Sequence, residues 1–90
     1  MWETIYATTF LKDYERLPHS VRARVKRIAF GEEIRQDPFL GGRTIKLRGY
    51  KDYYRIRVGD YRIGLRLDFD RRLIEFRRVL HRNQIYRRFP

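Results

Sequence analysis

Tyr54-Arg55-Ile56-Arg57-Val58-Gly59-Asp60-Tyr61-Arg62-Ile63-Gly64-Leu65-Arg66-Leu67 is the stretch on which the fold turns. Apolar side chains occupy every second position on both sides of Gly59-Asp60, a two-residue hairpin signal. A period of two sends Ile56, Val58, Tyr61, Ile63 and Leu65 to one face of a sheet and Arg55, Arg57, Arg62 and Arg66 to the other.

The same period extends outward from the hairpin. Upstream, Ile45 and Leu47 alternate with Thr44, Lys46 and Arg48, and Gly49 to Asp52 makes a turn. Downstream, a turn at Phe69 to Arg71 leads into Leu73, Ile74, Phe76 and Val79. The phase change between Phe76 and Val79 predicts a bulge near Arg77-Arg78. His81 to Pro90 is a short tail with room for one helical turn. Before Arg43 the period is 3.6 instead. Phe10, Leu11, Tyr14 and Leu17 mark one helix, with Thr8 or Thr9 as its cap. Val21, Val25 and Ile28 mark a second, running from about Pro18 to Gln36 with a break near Gly31. Asp37-Pro38 ends it, because a residue before proline avoids the helical region. Trp2 to Ala7 alternates and reads as a first strand, with Trp2 as a packing residue.

Helices followed by a run of strands predict an α+β fold: two N-terminal helices packed on one face of a four- to five-stranded, mainly antiparallel, twisted sheet. The predicted core is Phe10, Val25, Ile28, Leu47, Ile56, Val58, Tyr61, Ile63 and Leu65. The opposite face is cationic: Lys46, Arg48, Arg55, Arg57, Arg62 and Arg66. Like charges crowded across strands repel, and a phosphate-bearing ligand relieves that repulsion.

Composition agrees. Ninety residues carry 22 Lys and Arg against 11 Asp and Glu, a formal charge of +11. Lysine occurs only at Lys12, Lys26, Lys46 and Lys51, so the excess is arginine, the residue suited to bidentate phosphate contacts and base stacking. Nucleic acid, or an acidic protein that masks the same face, is the implied partner. With no cysteine there is no disulfide and no thiolate metal site. Met1 to Phe10 has no apolar run of the signal-peptide kind, and no stretch is long enough to span a membrane. A cytoplasmic protein without a membrane partner is expected.

Most enzyme motifs are absent. No phosphate-binding glycine loop, dinucleotide fingerprint or nucleophile elbow occurs, and the two histidines, His19 and His81, stand far apart. The arginines, lysines, tyrosines and His81 that remain suffice for one reaction class, cleavage of RNA by its own 2′-hydroxyl. There the substrate brings the nucleophile. The protein must hold the phosphate in line, stabilise added negative charge and move two protons. Clustered cations help the third task by favouring tyrosinate and neutral lysine. The same residues would also serve a module that binds RNA without cutting it.

The run from Tyr54 to Ile63, followed by His81-Arg82-Asn83-Gln84-Ile85-Tyr86, resembles the RelE branch of the RelE/ParE toxin superfamily. Leu17-Pro18, Asp37-Pro38 and Lys46-Leu47-Arg48-Gly49 fit its pattern upstream. The resemblance covers nearly the whole chain and implies a single RelE-like toxin domain over residues 1–90. It implies an endoribonuclease that cuts mRNA in the ribosomal A site, needs neither metal nor cofactor, and is neutralised by a cognate acidic antitoxin. Residue by residue, Arg62 matches the arginine that holds the scissile phosphate. Arg55 and Arg57 stand where relatives carry basic residues. Arg82 and Tyr86 match the C-terminal pair, the tyrosine as proton carrier or stacking platform, and His81 shares the role of Arg82 if the alignment slips by one residue. Lys46, Arg48, Arg57 and Arg66 make up the RNA-binding face. The ParE branch offers a different activity on the same fold, gyrase inhibition without nuclease chemistry.

Overall fold

A computed structural model describes residues 1–90. The elements run β1 (Glu3–Tyr6), α1 (Thr8–Glu15), α2 (His19–Ala29), α3 (Glu33–Gln36), a 3-10 turn (Leu40–Gly42), β2 (Thr44–Lys46), β3 (Tyr53–Val58), β4 (Tyr61–Asp68), β5 (Leu73–His81) and α4 (Arg82–Arg88). The five strands form one sheet in the order β1-β5-β4-β3-β2. β1 lies parallel to β5, and the other pairs are antiparallel.

The hairpin follows the alternation of its sequence. Ile56 pairs with Ile63 and Val58 with Tyr61, while Arg57 pairs with Arg62. The inner face of the sheet packs on α1 and α2. Phe10, Val25, Ala29, Ile56, Ile63, Leu65, Leu67, Ile74 and Phe76 are fully buried there, with Val58 and Val79 almost so. Tyr61 and Ile28, expected in the core, lie half-buried at its margin. Tyr6 stacks between Phe76 (5.3 Å) and Phe30 (4.6 Å), and its hydroxyl donates to the Ala29 carbonyl at 2.7 Å. The ring thus brings its apolar area inside without stranding its polar end. The expected break in the second helix falls between Ala29 and Glu33, around Gly31.

The expected bulge is present. Gly64 pairs with Arg78 and Leu65 with Phe76, so Arg77 has no partner on β4. The extra residue lets Arg78 reach back to α1. There it donates through Nε and Nη2 to both oxygens of Asp13, at 2.7 and 3.1 Å, and the Val79 amide adds a third bond at 3.2 Å. Asp13 is only 7% exposed, so this buried carboxylate is fully satisfied.

Three expectations are corrected. The β2 register is one residue off: Thr44 and Lys46 lie opposite Ile56 and Tyr54 on the inner face, and Ile45 lies opposite Arg55 on the outer face, 46% exposed. The Thr44 hydroxyl decides this by donating to the Pro38 carbonyl at 2.7 Å in a buried position. On a three-residue edge strand one such anchor outweighs the apolar pattern. α1 is capped by Ala7, with no side-chain cap, because the Thr9 hydroxyl donates instead to the Arg77 carbonyl at 2.9 Å. The C-terminal tail is a seven-residue helix, and it covers part of the outer face.

Tyr54 is 8% exposed on the inner face. Burial, with the Asp52 carboxylate as a smaller cause, pushes its hydroxyl above the usual tyrosine value. The folded chain therefore holds this proton more tightly than the unfolded chain. The associated stability is complete below about pH 10 and is lost as pH rises further. Denaturant unfolding at pH 8 and pH 11 is expected to show a smaller alkaline loss in Tyr54→Phe than in the wild type. An identical loss in both proteins would remove Tyr54 as its source.

Candidate functional site

The outer face is built from alternate residues of β3, β4 and β5 and closed by α4. His81 caps that helix: its Nδ1 accepts from the Asn83 amide at 3.2 Å. The Arg82 amide donates to the Asp60 carbonyl at 2.8 Å, which ties the start of α4 to the β3–β4 turn. Ile85 and Phe89 then insert into a small second core with Leu47, flanked by Tyr53 and Leu80. Phe89 reaches this position because Gly64 has no side chain. A Cβ there would lie 2.7–2.8 Å from three carbons of the Phe89 ring. Leu47 is buried as expected, but in this outer core and not in the main one.

Docking α4 on the outer face brings Tyr86, 56% exposed, over the sheet. Tyr86, Arg48, Arg55, Tyr50, Leu47 and Phe89 line one recess of about 370 Å³, within the usual range for a small-ligand site. Arg82 stands one turn before Tyr86 on the same side of α4.

Arg62 projects from β4 between Arg57 and Leu80. Its Nη1 donates to the Gly59 carbonyl (2.8 Å) and the Tyr61 carbonyl (2.9 Å). A guanidinium has five N–H donors, so Nε and Nη2 remain for a ligand while Nη1 fixes the group in place.

The acids of this face divide its cations into two groups. Arg66 lies 3.8 Å from Asp68, and Arg77 lies 2.7 Å from Glu75. Arg48, Arg55, Arg57, Arg62 and Arg82 enter no ion pair. Charge is thus neutralised at the Arg66 end and left open around Tyr86 and the Gly59 turn.

Besides Arg66, two of the nine sequence candidates lie apart from this open group. Lys46 is on the inner face by register, with its ammonium donating to the Tyr50 carbonyl at 2.7 Å. His81 stands beside Tyr61, ring centroids 5.3 Å apart, in a separate recess with Asp13, Arg16 and Arg78 on the α1 side. Tyr50, which walls the Tyr86 recess, looked like an ordinary turn residue, and nothing in its local pattern signalled otherwise. No three acidic or histidine side chains come together in a way that could hold a metal ion.

The docking of α4 rests on Gly64, which makes it testable. Gly64→Ala is expected to overpack the Phe89 contact by about 1–3 kcal/mol. Backbone-amide exchange in α4 should then quicken roughly five- to hundredfold, while the β3–β4 core stays protected. Unchanged exchange in α4 would mean that Phe89 does not hold the helix down.

A five-stranded sheet backed by N-terminal helices, with an arginine-lined outer face closed by a C-terminal helix, is the build of a small toxin of type II toxin–antitoxin systems. The family model described as ParE toxin of type II toxin-antitoxin system, parDE, matches residues 4–86. Toxin RelE3 of Methanocaldococcus jannaschii is 44% identical over 91 residues, covering 98% of this chain and 99% of the relative. Toxin RelG of Mycobacterium tuberculosis is 32% identical over 83 residues, covering 92% and 93%. The toxin of the RelB–RelE antitoxin–toxin complex from Methanococcus jannaschii superposes with a TM-score of 0.76 at 43% identity, over 96% of this chain and 99% of that one. The chain belongs to the RelE/ParE toxin superfamily, and within it the chain is RelE-like.

Proposed function

We propose that this toxin is an endoribonuclease that cuts mRNA in the ribosomal A site. The observation that carries the reading is the set of arginines without an ion pair, of which Arg48 and Arg55 line the recess of Tyr86, Arg57 and Arg62 pair across the β3–β4 hairpin, and Arg82 stands one turn before Tyr86 on α4. The 2′-oxygen of the substrate bonds to phosphorus, and the bond from phosphorus to the 5′-oxygen of the next nucleotide breaks. Arg62 holds the phosphate and stabilises the charge that builds on it, because its guanidinium is already fixed and needs little reorganisation. Arg55 adds positive charge beside it. Tyr86 relays the 2′ proton, its oxygen accepting from the 2′-hydroxyl as its own proton passes to water, and the departing 5′-oxygen, hydrogen-bonded by Arg82, takes a proton from water. Arg48 and Arg57 hold neighbouring phosphates. Arg66, engaged by Asp68, and Lys46, on the other face, fall outside the set. His81 falls outside it as well, and shapes the site by capping α4.

An acidic antitoxin would neutralise this surface in the resting cytoplasm. The similar structures from Methanococcus jannaschii and Mycobacterium tuberculosis are complexes of RelE-type toxins with antitoxins. The match to a model named for ParE raises the gyrase reading. Primer extension on mRNA after induction separates the two. New 5′ ends within translated codons are expected. A DNA-damage response without mRNA cuts would support gyrase inhibition instead.

A further inference from the structure

Arg24, Arg43 and Arg57 converge at the hairpin end of the sheet. With Gly59 they line an open cleft of about 420 Å³ that has no carboxylate and no apolar side chain in its wall. The three arginines come from separate parts of the chain: α2, the residue before β2, and β3. None of them is in an ion pair, and neither is Asp60, the acid of the adjoining turn.

The backbone sets this convergence. Gly59 has φ of 59°, in the left-handed region that glycine enters freely. A Cβ at Gly59 would lie 3.1 Å from Nη1 of Arg24, so the bare turn leaves room for a guanidinium from the helical layer. From the other side, Nη2 of Arg43 lies 3.4 Å from the Arg57 carbonyl, which keeps Arg43 at the edge of β3. Three cations sharing one cleft repel one another, and an anion bound between them removes that repulsion. Guanidinium forks suit the paired oxygens of a phosphate.

We propose that this cleft binds a backbone phosphate of RNA, one outside the recess of Tyr86. Arg55 lines that recess and Arg57 lines the cleft. The two lie on the same face of β3, two residues and roughly 7 Å apart. A polyanion leaving the first site reaches the second along one strand, as an RNA chain would. The choice of RNA rests on the function proposed above, and the presence of an anion site does not.

The test uses a fluorescent single-stranded 2′-O-methyl RNA, which binds without being cut, and follows its affinity across a salt series. Arg24→Ala with Arg43→Ala is expected to weaken binding about tenfold or more. The slope of log affinity against log salt should fall by about 0.7 for the phosphate lost. Arg71→Ala removes a charge at the opposite end of β4 and is expected to leave both nearly unchanged. Affinity within twofold of the wild type in the double variant would overturn the proposal. So would an equal loss in Arg71→Ala, which would mean that total charge alone matters. A third contrary result is loss of binding to a poly-glutamate peptide with RNA binding kept, since the cleft would then be a protein-carboxylate site. Primer extension is read separately. Cuts in mRNA with unaltered RNA binding in the double variant would sink the cleft and spare the nuclease, and the reverse pattern would do the opposite.

Discussion

Arg62→Ala is expected to slow mRNA cleavage by on the order of 10²–10³, the usual effect of removing one preorganised donor from a developing oxyanion. The side chain is on the outer face, so truncation opens no cavity in the main core. It does remove two hydrogen bonds to the carbonyls of Gly59 and Tyr61. Each contributes about 0.5–1.5 kcal/mol, so the hairpin should be weakened modestly and still fold. Arg62→Lys separates charge from geometry. Lysine keeps the charge but cannot both donate to the turn and grip a phosphate as a fork. Its rate should lie much nearer that of the alanine variant than that of the wild type. Cleavage rates for the three proteins on programmed ribosomes, with unfolding measured in parallel, check this. Near-normal cleavage by Arg62→Ala would move the phosphate clamp to Arg55, Arg57 or Arg82.

The largest effect on stability is expected at Asp13. Its carboxylate takes three hydrogen bonds, two from Arg78 and one from the Val79 amide, in a position 7% exposed. Asp13→Ala leaves the Arg78 guanidinium and a buried amide without a partner. Breaking a buried pair from one side costs about 3–5 kcal/mol. The Arg78 side chain keeps 19% of its surface in water, which favours the lower end of that range. For a chain of this size roughly 3 kcal/mol corresponds to a fall in Tm of about 12–24 °C. Replacing both partners together, Asp13→Leu with Arg78→Met, should recover much of the loss, because no charge is then stranded. A fall below about 1 kcal/mol in Asp13→Ala would mean that the pair contributes little to holding α1 on β5.

The hairpin was legible because its two faces meet different solvents. Ile56, Val58, Ile63 and Leu65 alternate without fault with Arg55, Arg57, Arg62 and Arg66, and a register slip would bury four guanidiniums. The bulge was legible from the same rule, since the phase change between Phe76 and Val79 has no other remedy in a paired strand. β2 was misread because its alternation is short and its register depends on Thr44, whose hydroxyl finds the Pro38 carbonyl only in the folded chain. The docking of α4 was not legible at all. It depends on Phe89 meeting the bare backbone of Gly64, 25 residues away, and neither residue marks the other in the sequence. For the site this means that Arg55, Arg57 and Arg62 could be placed on one face by strand parity alone. The approach of Tyr86 to Arg48 and Arg55 could not, because it follows from that docking. Nothing in the sequence links Arg24 of α2 to the hairpin, and only the Gly59 turn brings it to Arg57.

The most direct test of the nuclease reading lies in the substrate. Purified toxin is added to ribosomes programmed with an mRNA whose A-site codon carries a single 2′-deoxy nucleotide on the 5′ side of the scissile bond. The 2′-oxygen is the proposed nucleophile, so that mRNA should stay intact while the all-ribose control is cut to a 5′ fragment ending in a 2′,3′-cyclic or 3′-phosphate. Cleavage of the deoxy substrate at the control rate would contradict the mechanism, since the attacking oxygen would then have to come from water or from the protein.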